Sequence, residues 1–181
     1  APGSWGAQMK ASLRKSAARR NIKKSAMHPA RVRRFTCHVV EWFNENGRDF
    51  PWRRANQSLY RLVVTEILLQ RTRAETVADF YAEFFARFPS WRALSRATGL
   101  ELERFLMPIG IWKRRASVLG RLSAEMAARG GRFPREYSDV RRLPGVGQYV
   151  ANAVVLFRDG TPAPLLDGSM ARVLERYFGP R

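Results

Sequence analysis

Apolar residues recur at helical spacing along most of this chain. In residues 29–46 they fall three or four positions apart, which predicts an amphipathic helix that ends at an Asn-Gly pair. Similar patterns cover residues 112–128, 147–157 and 169–177, and glycine, proline or polar capping residues separate them. The sequence has neither a run of alternating strands nor an internal repeat. We therefore predict an all-α protein with short loops.

Residues 59–70 form the most apolar segment. Their composition would also suit a β-strand, but their length and the polar Glu66 and Gln70, four positions apart, favour a buried helix. The following Thr72-Arg73-Ala74-Glu75 has the form of a capping box, which predicts that the next helix starts there. Glu66 needs an explanation, because burial of an unpaired acid is costly. It is either exposed on the polar face of this helix or part of a functional site.

The charge of the chain narrows the choice of partners. Lys and Arg number 33 against 15 Asp and Glu, which gives a formal net charge of +18. A field this positive favours a polyanion, with nucleic acid first and an anionic membrane surface second. A GC-rich genome is an alternative source of the arginine content. Residues 1–30 contain basic residues and no acid, and we interpret them as a disordered basic arm able to touch phosphate.

The sequence argues against a disulfide, a metal site and a membrane-spanning helix. The single cysteine, Cys37, excludes a disulfide framework and a thiolate-built zinc or iron–sulfur site within this chain. His28 and His38 lie ten positions apart with no cluster of further ligands around them. No stretch approaches the roughly 20 apolar residues of a membrane helix. We therefore expect no metal and no cofactor in this chain, and no membrane partner.

A glycine-rich hairpin between two short predicted helices is the first candidate site: Leu143-Pro144-Gly145-Val146-Gly147. Pro144 stops the first helix, and the glycines permit a tight turn that leaves backbone N–H groups free at the start of the second. Because the helix dipole favours an anion there, a DNA phosphate could bind without base contacts. The residues concerned are Leu143, Gly145, Val146, Gly147 and Gln148. The alternatives are an ordinary helical hairpin and a dinucleotide loop, and the latter is disfavoured because no strand precedes it.

Asp167, within Leu166-Asp167-Gly168-Ser169, is the second candidate. It directly precedes a predicted helix, so taken alone it is most simply an N-cap. Its position twenty residues beyond the hairpin makes a catalytic role the competing interpretation.

Several of these segments, in this order, resemble the endonuclease III-like DNA glycosylases that carry a helix–hairpin–helix and a Gly/Pro-rich loop ending in Asp (HhH-GPD). The resemblance spans roughly residues 31–179. The matching segments are 50–53, 65–72, 109–116, 130–134, 143–149 and 166–168.

This resemblance implies a two-lobed all-α fold with the active site between the lobes. It assigns residues 31–55 to the N-terminal helix and connector of the second lobe, 56–158 to a six-helix domain with the hairpin, and 159–181 to the Asp loop and C-terminal helix. The family flips a nucleotide out of double-stranded DNA. Asp167 would then stabilise positive charge at C1′ of the sugar and orient water. A monomer is expected, located in the nucleoid of a prokaryote or the nucleus of a eukaryote.

Tyr149 separates the subtypes of the family. Bifunctional members carry Lys at this position and form a Schiff base that leads to strand cleavage, whereas adenine-removing members usually carry Ser. A tyrosine at this position resembles the thymine/uracil mismatch glycosylases, which act on G·T and G·U pairs. The resemblance thus implies a monofunctional glycosylase. An adenine glycosylase, a non-catalytic DNA-binding module, and a Tyr149 that only packs on the core remain as alternatives.

The resemblance also assigns roles to the remaining polar residues. Glu66 becomes a pocket residue beside the leaving base. Gln70 and Arg71 match the loop that fills the space left by the flipped nucleotide and touches the orphan base. The basic residues expected along the phosphate track are Lys113, Arg114 and Arg115. Most of the family ends in a four-cysteine [4Fe–4S] loop, so a cluster is expected only if the natural protein extends beyond Arg181.

Overall fold

The computed structural model describes residues 29–54 and 57–179, and within these ranges it contains helices joined by loops and no strand, which confirms the predicted fold class. Two 3₁₀ turns, Pro51–Arg53 and Met107–Ile109, join some of the helices. The α-helices are α1 (Pro29–Asn46), α2 (Leu59–Leu69), α3 (Ala74–Arg87), α4 (Trp91–Ser95), α5 (Gly99–Leu106), α6 (Trp112–Ala128), α7 (Tyr137–Arg142), α8 (Gln148–Asp159) and α9 (Gly168–Phe178).

The described residues change the predicted number of helices in the main domain and one predicted boundary. Seven α-helices, not six, lie between residues 57 and 159, because the single turn of α4 is a helix of its own. The basic arm predicted over residues 1–30 lies outside the described residues, except that Pro29 already begins α1. None of the helices in these ranges has the length and apolar character needed to cross a membrane.

Helix α2 runs through the centre of the main domain. It packs against α3, α6 and α8, and seven of its eleven residues are buried, which confirms the buried helix predicted for this segment. The aromatic residues of α3 continue the core on one side, where Phe84 is fully buried and touches the rings of Phe88 and Phe105. Burial of such large apolar side chains is the main force that holds these short helices together.

Helix starts show where local signals decide the structure and where they do not. Thr98 is the N-cap of α5, because its hydroxyl accepts the N–H of Glu101 at 3.1 Å. The capping box predicted at Thr72 is wrong. Helix α3 begins at Ala74 with Arg73 as an N-cap that makes no side-chain bond, and the Thr72 hydroxyl donates to the carbonyl of Ile109 at 3.3 Å.

Helices α1 and α9 lie against each other at the edge of the main domain. The ring of Phe35 contacts Tyr177 and Phe178 at centroid distances of 4.8 and 5.2 Å, and Arg31 donates to the Tyr177 carbonyl. Arg53, which lies in the connector after α1, stacks over the ring of Phe43 in that helix. No residue of α1 or α9 is buried. This second lobe is therefore held by few contacts in comparison with the core around α2.

Candidate active site

Asp167 lies at the end of the extended loop that joins α8 to α9. Gly160, with φ of +65°, ends α8, and the chain then runs without regular structure to the start of α9. The Asp167 Oδ1 accepts the N–H of Met170 at 2.7 Å, so this residue is an N-cap. Its side chain is exposed, and Oδ2 has no hydrogen-bond partner among the described residues. The cap and the catalytic interpretation are therefore compatible, because one oxygen holds the carboxylate while the other faces outward.

Asn152 fixes the loop that leads to Asp167. It is 5% exposed on α8, and its Nδ2 donates to the carbonyl of Pro164 at 2.6 Å. The bond connects the helix that follows the hairpin to the chain three residues before Asp167. Sequence reasoning missed this residue, although an amide between Ala151 and Ala153 in an apolar helix was a usable signal.

Glu66 and Tyr149 face the same region as Asp167. Burial and, to a smaller extent, the nearby charge of Asp167 together raise the pKa of Glu66 to about 7. Burial, then the charges of Glu66 and Asp167, raise the pKa of Tyr149 to about 12. The charge of Asp167 thus reaches both Glu66 and Tyr149, and the charge of Glu66 reaches Tyr149. The structure brings together, from α2, α8 and the start of α9, the three residues that the sequence predicts to be catalytic.

The hairpin between α7 and α8 has the geometry expected of an anion site. Leu143 ends α7, and its carbonyl accepts the N–H of Val146 at 3.0 Å. Gly147 precedes α8 and offers no side-chain cap to the first N–H groups of that helix. Leu143 and Val146 are buried, so only their backbone could contact DNA, whereas Gly145, Gly147 and Gln148 are exposed.

Gly145 cannot be replaced without changing the hairpin, and we expect Gly145→Ala to destabilise the protein. Its φ is +74°, and an added Cβ would lie 2.3 Å from Cγ1 of Val118 on α6. Backbone strain and overpacking together should cost about 1–3 kcal/mol of unfolding free energy. Denaturant unfolding measures the loss, and duplex DNA binding should weaken with it.

Gly147→Ala is the matched control. No atom outside its own neighbours lies within 4 Å of an added Cβ there, and φ is −79°. Its unfolding free energy should stay near that of the wild type. Equal stability of the two alanine variants would show that the hairpin is not constrained as the structure indicates.

The predicted DNA-contacting polar residues divide into two groups. Gln70, Arg71, Lys113 and Arg114 are exposed, as a DNA contact requires. Arg115 is 4% exposed, and its guanidinium bonds carbonyl oxygens inside the protein. The prediction that Arg115 lies on the phosphate track is therefore wrong, because the helical turn carries it to the buried face of α6.

The residues of this chain do not fit a four-cysteine iron–sulfur cluster. Its single thiol, Cys37, is exposed on α1. Within the described ranges no three His, Cys, Asp or Glu side chains are grouped so that they could hold a metal ion.

The family model of the HhH-GPD superfamily base excision DNA repair proteins matches residues 64–181, and the chain belongs to this superfamily. It is 38% identical over 148 residues to a thymine/uracil-DNA glycosylase of Pyrobaculum aerophilum, a match that covers 81% of this chain and 64% of that protein. It is also 38% identical over 151 residues to a thymine-DNA glycosylase of Aeropyrum pernix, covering 82% and 67% of the two chains.

The fold is similar to a solved structure of a thermostable thymine-DNA glycosylase. The TM-score is 0.77 at 33% sequence identity, over 83% of this chain and 70% of that one. This likeness supports the all-α fold described above. The chain thus spans about two thirds of the length of these relatives.

Proposed function

We propose that this chain is a monofunctional DNA N-glycosylase that removes thymine or uracil opposite guanine. The observation that carries the proposal is the convergence of Glu66, Tyr149 and Asp167 from three separate segments, where the charge of Asp167 acts on both Glu66 and Tyr149. Its relatives at 38% identity are a thymine/uracil-DNA glycosylase and a thymine-DNA glycosylase. They support a pyrimidine as the excised base.

The reaction breaks the bond between C1′ of the sugar and N1 of the pyrimidine. The bonding electron pair leaves with the base, and the oxygen of a water adds to C1′. The free oxygen of Asp167 stabilises the positive charge that builds up on the sugar and accepts a proton from the attacking water. A carboxylate fixed by its cap bond needs little reorganisation during this step.

Glu66 and Tyr149 act on the base rather than on the sugar. With its pKa at about 7, Glu66 is partly protonated at neutral pH and donates a hydrogen bond or a proton to the departing pyrimidine. Tyr149, with its pKa at about 12, stays a neutral phenol that can donate one hydrogen bond. A phenol forms no Schiff base, so strand cleavage by that route does not follow excision.

The hairpin positions the DNA for this chemistry. Its uncapped N–H groups bind a backbone phosphate, and Asn152 links the same helix to the loop of Asp167. The formal net charge of +18 adds general attraction to double-stranded DNA. We propose a monomer, with carboxylate and phenol groups sufficient for the reaction and no cofactor held by this chain.

A panel of duplexes tests the proposal. Each carries one central pair, G·U, G·T or A·8-oxoguanine, and alkali reveals abasic sites as strand breaks. We expect breaks in the G·U and G·T duplexes after alkali only. Breaks without alkali would indicate a lyase, and breaks only in the adenine-containing duplex would indicate an adenine glycosylase. Tight binding without excision of any base would favour a non-catalytic DNA-binding module.

A further inference from the structure

Arg115 is a buried cation at the point where two loops meet. It lies in the first turn of α6, and its guanidinium fills the space between the end of α2 and the turn before α6. It donates at 2.7 Å to the carbonyls of Gln70 and Ile109 and at 3.0 Å to that of Leu68. Two further bonds reach the Gly110 carbonyl and the Thr72 hydroxyl. None of these five acceptors is a carboxylate.

Two of these bonds pair backbone carbonyls that have no hydrogen-bond donor within helix α2. The carbonyls of Leu68 and Gln70 are at the C-terminal end of α2, where intrahelical donors run out and the dipole favours a cation. The chain then reverses within residues 70–72, and Arg71 adopts a φ of +57°. A non-glycine residue holds this conformation only where its surroundings fix it. Arg115 is the side chain that bonds both ends of this reversal.

The 70–72 turn presents two side chains outward. Those of Gln70 and Arg71 are exposed and have no hydrogen-bond partner among the described residues. The backbone beneath them is fixed while the side chains are free. Such preorganisation lowers the cost of inserting them into a duplex, since fewer backbone conformations are lost on binding.

We propose that Arg115 is a positioning residue that holds the 70–72 turn in the conformation in which Gln70 and Arg71 enter the DNA. This rests on the proposed function, and on the role that the family resemblance implies for these two side chains, which is to fill the space left by the flipped nucleotide. Arg115 acts through them and touches no DNA itself. Lysine is a poor substitute, because one ammonium cannot reach acceptors on both loops as a planar guanidinium does.

A double-mutant cycle separates this role from a merely structural one. Arg115→Met and Arg115→Lys are made in the wild-type chain and in a chain in which Gln70 and Arg71 are both alanine. Single-turnover excision is measured on a G·U duplex at a temperature below the melting point of every variant. Arg121→Met is the matched control, since Arg121 is exposed on the same helix and bonds only the Ser117 carbonyl of that helix.

We expect Arg115→Met to slow excision at least tenfold, and Arg115→Lys to slow it less. In the background without both turn side chains the same substitutions should change the rate less than twofold, because the turn then has nothing to position. The Arg121 control should stay near the wild-type rate. An equal loss in both backgrounds would overturn the proposal and leave Arg115 as a structural residue. If Arg115→Met does not fold, the excision rates of Arg115→Lys are compared in the same two backgrounds.

A second readout keeps this test independent of base excision. A 2-aminopurine beside the mismatch reports unstacking of the duplex by its fluorescence. If the wild type excises no base, the proposed function fails, and the fluorescence then decides the role of Arg115. A signal lost in Arg115→Met only when Gln70 and Arg71 are present supports the proposal. A signal unchanged by Arg115→Met, or no signal from the wild type, overturns it.

Discussion

Replacement of Asp167 by asparagine is expected to abolish excision while leaving the fold and DNA binding intact. Asparagine caps a helix as well as aspartate does, so the bond to the Met170 N–H survives in Asp167→Asn. The negative charge that stabilises the sugar cation and accepts the proton of water is lost. We expect the single-turnover rate on a G·U duplex to fall by about 10³-fold or more.

Duplex affinity should stay the same or rise in this variant, because a carboxylate no longer repels the phosphates nearby. Fluorescence anisotropy with a labelled G·U duplex measures it. Asp79→Asn is the matched control, since it removes one exposed negative charge from α3, and its excision rate should equal that of the wild type. Asp167→Ala removes charge and cap together and should also cost about 1 kcal/mol of unfolding free energy.

Two outcomes would count against the role of Asp167. Excision by Asp167→Asn within tenfold of the wild type would mean that the residue is an N-cap and no more. A parallel loss of excision and of duplex affinity would mean that the substitution disturbs the second lobe rather than the chemistry, and Asp167→Ala would then lose binding further.

The helices of this protein are predictable from the sequence because apolar spacing reports burial directly. The convergence of the site is not, since Glu66 and Asp167 are 101 positions apart and no local pattern joins them. Only the order of motifs that resembles a known family suggested that Glu66, Tyr149 and Asp167 act together. The family model that matches residues 64–181 confirms that resemblance, while the roles of the three residues stay predictions.

Arg115 shows what residue type alone conceals. It is the third member of a basic run whose first two members are exposed, so composition predicts three equivalent arginine or lysine contacts. Helical phase separates them, because Arg115 is four positions before Leu119 on the buried face of α6. Thr72 is the complementary case. Its hydroxyl bonds Ile109 and Arg115, which are distant in the sequence, and therefore does not cap helix α3.

Glu66 is expected to make both stability and excision depend on pH near neutrality. Burial and then the charge of Asp167 raise its pKa from 4.5 to about 7 in the folded protein. Because the folded state holds this proton more tightly than the unfolded chain, the stabilisation is complete below about pH 4.5. It is lost as the pH rises through about 7. A change of this size corresponds to about 3 kcal/mol.

Glu66→Gln isolates that contribution, since the amide has nearly the same shape and carries no charge at any pH. The unfolding free energy of Glu66→Gln minus that of the wild type should increase from pH 4.5 to 7 and then level off. Urea unfolding at a series of pH values measures this difference. A difference that is flat over that interval would mean that the half-buried Glu66 carboxylate is not shielded from water as the structure indicates.

Excision by the wild type should decline as the pH rises above 7, because the carboxylate form of Glu66 can no longer donate to the leaving pyrimidine. In Glu66→Gln this decline should disappear, and the rate below pH 7 should be lower by about 10²-fold or more. In Asp167→Asn the stability change should move to lower pH, because the charge that helps to raise the pKa of Glu66 is gone. If the stability curves of the wild type and Asp167→Asn coincide, the two carboxylates are not neighbours, and the convergence that supports the proposed function is wrong.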